Sequence, residues 1–150
     1  MRAFGRCVGA VAVVLAMTSG AFAQEKLPAG RVKVATGAAF ILRGGTQVAA
    51  RPGDAVFSSD SLQTGASGTL GITLKDDTRL SLGPDSEVRL ERYVFAPDSG
   101  ALGMVLNFVK GVAGYISGRM AKLAPDSIRL ETPAAIVGVR GTTLAVQVEP

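Results

Sequence analysis

The sequence predicts an all-β fold: a single domain of short antiparallel strands, arranged as a sandwich or as a coiled β-roll stack. Three observations predict it. Apolar residues recur at every second position through much of the chain, as in Leu70, Ile72 and Leu74, the period of a strand with one buried and one wet face. The alternating segments are short and bounded by Gly, Pro, Asp and Ser, the residues that favour turns. Glycine is frequent, at 19 of 150 residues, and each one inside a helix costs about 1 kcal/mol relative to alanine.

The first 23 residues stand apart from this pattern. Arg2 and Arg6 precede an uncharged apolar run from Val8 to Met17, and Ala21-Phe22-Ala23 offers a small-x-small site just before Gln24. This is the pattern of a cleaved secretory signal peptide, and the apolar run is too short to read first as a membrane span. Cys7 lies before that run, so a lipid-modified N-terminus is not indicated. Residues 24–30 form a polar leader, and residues 31–150 the β domain.

Along that domain, Arg31-Val32-Lys33-Val34 opens a strand and Ala38 to Arg43 continues it, with Gly44-Gly45 turning into Thr46-Gln47-Val48. Pro52-Gly53-Asp54 makes a second turn before Ala55-Val56-Phe57, and Leu62-Gln63-Thr64 leads on through Gly65. The clearest hairpin joins Thr69–Leu74 to Thr78–Leu82 through Asp76-Asp77. In the next strand Val88, Leu90, Arg92 and Val94 share one parity, with Glu87, Arg89, Glu91 and Tyr93 opposite. From Ala101 to Gly118 a helical stripe (Leu102, Val105, Leu106, Val109) competes with strand alternation (Leu102, Met104, Leu106, Phe108). The four glycines of that stretch favour strands, over Met104–Val109 and Ala113–Ser117. Alternation returns at Ser127–Glu131, Ala135–Val139 and Leu144–Val148.

Pro-Asp-Ser occurs at 84–86, 97–99 and 125–127, and residues 84–91 echo residues 125–131. Either these are successive rungs of a sheet that coils on itself, or Pro-Asp-Ser is simply good turn chemistry.

Composition narrows the function classes. There is no His, and the one Cys lies in the signal segment, so the commonest metal ligand and general base are absent and no internal disulfide forms. No metal and no cofactor are expected. Removing Arg2 and Arg6 lowers the net charge from +4 to +2. The remaining arginines are scattered, unlike a concentrated nucleic-acid-binding face, so no nucleic acid is expected as partner. Asp76-Asp77 is the one adjacent acidic pair and sits where a hairpin turns, so no catalytic residue is assigned. Tyr93 and Tyr115 are expected to be half-exposed contacts, each with a polar end, and Arg89 to share an exposed face with Glu87 and Glu91.

The run Val137-Gly138-Val139-Arg140-Gly141-Thr142-Thr143 lacks the spacing of a phosphate-binding loop. It reads as a tight corner that Arg140 staples through its five donors, or as a ligand contact through Arg140. A sharper reading places a strained Gly141-Thr142 bond there, open to attack on its carbonyl by the Thr142 hydroxyl.

The order of motifs resembles the FecR-type periplasmic domain family. The resemblance rests on Val34-Ala35-Thr36-Gly37, Arg51-Pro52-Gly53-Asp54, Leu62-Gln63-Thr64-Gly65, Leu74-Lys75-Asp76-Asp77-Thr78 and Leu80 to Ser86. It continues through Phe108-Val109-Lys110-Gly111 and Ile116-Ser117-Gly118-Arg119, and is most specific in Glu131 to Thr142. It covers roughly residues 31 to 148. It implies an all-β envelope domain that, in the iron-uptake regulators of this family, relays a signal from an outer-membrane transporter toward a sigma factor. Some of those regulators cleave themselves at a Gly-Thr bond, which directs attention to Gly141-Thr142. This sequence carries a secretory signal where those regulators carry a cytoplasmic segment and a membrane span, and it stops at Pro150. It is therefore expected not to pass a signal into the cytoplasm by itself.

The expectation is a non-enzymatic, exported interaction or sensing domain, in the periplasm or secreted, whose partner is an envelope protein or membrane sensor. The alternatives are an envelope glycan- or polymer-binding module, which exposed Arg and Tyr on one sheet would favour, and a structural envelope component.

Overall fold

The computed structural model describes residues 26–138 and 143–149. Among these described residues twelve strands follow one another: β1 (Gly30–Thr36), β2 (Ala39–Arg43), β3 (Thr46–Ala49), β4 (Ala55–Val56), β5 (Ser61–Thr64), β6 (Thr69–Leu74), β7 (Arg79–Leu82), β8 (Glu87–Ala96), β9 (Ala101–Ile116), β10 (Ile128–Glu131), β11 (Ile136–Gly138) and β12 (Thr143–Val148). One five-residue helix, α1 (Arg119–Leu123), lies between β9 and β10. The pairing is antiparallel throughout except between β9 and β10, and the sheet curls into a half-barrel. The all-β expectation holds, in its coiled-roll form.

The two strands expected within residues 101–118 are one 16-residue strand. Its first half pairs with β8 and β10, and its second half with β7 and β12. β9 thus belongs to both walls of the roll. One wall runs β3-β2-β5-β8 into the first half of β9, and the other runs β4-β1-β6-β7 into the second half. The change of wall falls at Gly111, whose φ of +83° is open to glycine and strained for other residues. A β-carbon there would collide with the Ser86 side chain and with the Asp85 carbonyl. Opposite this corner the chain also breaks between β7 and β8, and Ser86 fills the gap. Its backbone N–H donates to Thr64 Oγ1 at 3.0 Å, and its Oγ accepts the Val112 N–H at 2.9 Å.

Leu70, Ile72, Leu74, Leu80 and Leu82 all face the interior, as the alternation of the β6–β7 hairpin requires. They join Leu62, Val88, Leu90, Leu106, Phe108 and Tyr115 in one core drawn from both walls. Met120 and Ala121 of α1 add to it.

Two local expectations are corrected. The strand expected to continue from β1 into β2 is interrupted at Gly37, which has φ +61°. In β8 the register slips between Leu90 and Arg92, because Leu90 opposes Leu106 while Arg92 opposes Val105. This bulge places one extra residue on β8 and reverses the inside–outside order beyond it. Arg92 is therefore exposed and Tyr93 buried, the opposite of the uninterrupted alternation.

The Pro-Asp-Ser echoes are not rungs of a coil. Residues 97–99 and 125–127 each form one turn of 3-10 helix, while 84–86 lies in the break before β8. The strands after the two longer echoes flank β9, and Leu90 and Leu130 both register with Leu106. One of them, however, runs antiparallel and the other parallel.

Candidate interaction surface

Of the described residues that the sequence singles out, Arg89 faces outward while Tyr93 and Tyr115 turn inward toward Asp76. Arg89 lies outward on β8, 49% exposed, between Ser61 and Asn107 of the neighbouring strands and 3.9 Å from Glu87 Oε1. Glu91 on the same face accepts a hydrogen bond from Asn107 Nδ2 at 3.2 Å. Tyr93 and Tyr115 are not half-exposed: they are 9% and 0% exposed. The β8 bulge turns Tyr93 inward, and the alternation of β9 points Tyr115 into the core. Burial raises the phenol pKa of both above the ordinary value, with a hydrogen bond to Asp76 as a further cause at Tyr93. Neither ring is available for stacking on a saccharide. Arg140, Gly141 and Thr142 lie outside the described residues.

Tyr93 belongs to a latch that the sequence reading missed. Asp76, expected as an ordinary turn residue, is fully buried. Its carboxylate accepts the Tyr93 hydroxyl at 2.8 Å, the Thr78 hydroxyl at 2.7 Å and the Met120 N–H at 3.2 Å. Its own N–H donates to the Tyr93 hydroxyl at 3.0 Å, and its carbonyl accepts the Arg119 N–H at 2.6 Å. One carboxylate thus ties the β6–β7 hairpin of one wall to β8 of the other and to the start of α1. A β-carbon at Gly118 would run into the Asp76–Thr78 backbone, so glycine permits the close approach. The local signal was the Asp-x-Thr spacing of Asp76 and Thr78, which suits a side chain folding back on its own turn. Nothing local pointed to Tyr93 or Met120, which arrive from 17 and 44 residues away.

The edges of the sheet are built differently from its interior. β3 and β4 end the two walls, while β11 and β12 lie beyond β9. β12 is the longest of these four, with six residues against four, two and three. Thr143 to Val148 contains no charged residue. Leu144, Val146 and Val148 turn toward the core and are half-buried, and Thr143, Ala145 and Gln147 face solvent. One side of β12 pairs with β9, from Thr143 opposite Ile116 to Val148 opposite Gly111. Among the described residues no strand pairs with its other side. Edge strands usually carry a charge, a proline or a bulge that discourages further pairing, and β12 has none of these between its ends.

Among the described residues no group of three or more His, Cys, Asp or Glu is placed to hold a metal ion. No helix among them is long and apolar enough to cross a membrane. The deciding comparison is with protein families: the model described as FecR protein matches residues 60–150, more than half of the chain. The chain belongs to the FecR family. No curated protein and no solved structure matches it. FecR domains are non-enzymatic signalling and interaction modules of the bacterial envelope, characteristically periplasmic or secreted, and they mediate protein–protein contacts there. This FecR domain is accordingly an exported interaction or sensing module and not an enzyme.

Proposed function

We propose that this FecR domain receives an envelope protein or membrane sensor by strand addition along β12. The observation that carries the reading is a six-residue uncharged edge whose outer side meets no strand among the described residues. An added strand makes main-chain hydrogen bonds to the edge, and its alternate side chains lie beside Leu144 and Val146. The β12–β9 pair supplies a firm platform, because β9 is held in both walls.

The test is in-cell crosslinking from Ala145, followed by identification of the crosslinked peptide. A segment of an envelope protein is expected, and its yield should fall severalfold in the variant Ala145→Lys/Gln147→Lys. Both positions face solvent, so the substitutions charge the edge without entering the core. Crosslinks to glycan alone, or an unchanged yield in the charged variant, would remove the strand-addition reading.

We propose further that residues 1–23 are removed on export and that the domain spans 31–150, beyond the family match. The longer boundary is supported by the pairing of β1 with β6 and of β2 with β5, inside the two walls. Arg89 remains a proposed contact of the exposed β8 face. The intact mass of the exported protein tests the processing: a chain beginning at Gln24 is expected. The same measurement bears on the Gly141-Thr142 bond, since an uncut chain under those conditions argues against self-cleavage.

A further inference from the structure

On the wall that β12 also joins, but separated from β12 by β9 and β7, the register between β1 and β6 sets Arg31 across from Thr73, and that between β6 and β7 sets Thr73 across from Arg79. Neighbouring strands lie about 4.8 Å apart, so the two guanidinium groups flank the threonine on the outer face. Lys33 is added to this face by an irregularity in β1, where the register shifts between Val32 and Val34. Lys75, at the start of the hairpin turn, is also exposed. Together Pro28, Arg31, Lys33, Thr73, Lys75 and Asp77 line an open groove of about 460 Å³.

The charge in this groove is not compensated. Asp77 is its one carboxylate, and it sits 3.5 Å from the Arg119 guanidinium outside the lining. Among the described residues no carboxylate pairs with Arg31, Lys33, Lys75 or Arg79. On the other wall, Arg43 pairs with Asp60 at 2.7 Å, Arg129 with Glu131 at 3.7 Å, and Arg89 lies beside Glu87. Like charges gathered on one short stretch of sheet repel one another, and a multivalent anion relieves that repulsion. Arg31 Nη1 donates to the Gly53 carbonyl at 3.0 Å; the remaining guanidinium N–H groups, two ammonium groups and a hydroxyl form a donor set suited to a phosphate-type oxyanion.

We propose that this groove binds a phosphate-type oxyanion, either free or as a headgroup carried on a membrane surface. It stands apart from the β12 edge, so either reading can fail without the other. The probes are inorganic pyrophosphate, followed by titration calorimetry at fixed ionic strength, and vesicles of phosphatidylglycerol with phosphatidylcholine, followed by cosedimentation. Lys33→Ala/Lys75→Ala should weaken binding about tenfold or more, the effect of roughly 1.4 kcal/mol. Lys33→Arg/Lys75→Arg should retain it, and Arg129→Ala on the other wall should leave it unchanged. Pyrophosphate binding that follows this order supports a free oxyanion, and vesicle binding alone in the same order supports the headgroup. Equal weakening by Arg129→Ala would reduce the effect to diffuse net charge and overturn the proposal. So would the failure of both probes to bind the wild-type protein, with its folded state verified by circular dichroism.

Discussion

Two of the joints between the walls of this FecR domain work by different physics. At the Gly111 corner the join is the backbone itself, as β9 leaves one wall and enters the other at a left-handed residue. Ser86 and Thr64 then satisfy the main-chain groups that the break between β7 and β8 leaves over. At the Asp76 latch the join is a buried carboxylate that collects hydrogen bonds from Tyr93, Thr78 and Met120. The corner depends on the absence of a side chain and the latch on the presence of one. The first therefore tolerates almost no substitution, whereas the second loses its bonds one at a time.

The largest expected effect breaks the corner. Gly111→Val adds a branched side chain at positive φ against Ser86 and Asp85, and should cost about 4 kcal/mol, at the severe end for a single substitution. Urea unfolding monitored by circular dichroism measures it. A loss below about 1 kcal/mol would mean that the corner relaxes and that β9 does not need its left-handed residue.

Breaking the latch should come next. Asp76→Ala leaves Tyr93, Thr78 and Met120 without their acceptor, and should cost about 3 kcal/mol, since hydrogen bonds to a buried charge are worth more than neutral ones. Hydrogen exchange can locate the damage. Faster exchange at Gly118 to Met120, with the corner amides of Ser86 and Val112 still protected, is the expected pattern. Uniform loss at both joints would show that they unfold as one unit.

The smallest effect sharpens the comparison through pH. The Tyr93 phenol is held above its ordinary pKa by burial and by Asp76, so the folded state favours the protonated form. Its contribution is fully present below about pH 10, where the unfolded tyrosine also stays protonated, and is lost as pH rises further. Unfolding free energy should therefore decline in alkaline solution. Tyr93→Phe should cost about 2 kcal/mol at neutral pH and make that decline shallower. Tyr115, likewise raised by burial, maintains the remaining slope. An unchanged alkaline slope in Tyr93→Phe would detach the titration from the latch.

The surface was less legible than the core. Arg89 was placed outward correctly because it lies before the β8 bulge, and Tyr93 incorrectly because it lies after it. One extra residue in a strand has no signature in alternation, yet it reverses every side chain that follows. The cationic groove was hidden for a related reason: Arg31, Lys33 and Lys75 are scattered in sequence and meet only through the β1–β6 register.

Alternating apolar residues and turn clusters determined the all-β class, the β6–β7 hairpin and most of the core, because a strand's period and a turn's chemistry act over a few neighbouring residues. The ordered motifs likewise carried the FecR resemblance. The tertiary structure alone decided that residues 101–116 form one strand shared by two walls, that Asp76 is buried, and that β12 presents an edge. Each of these depends on partners brought together from distant parts of the chain, and no local pattern encodes which strand will lie beside which.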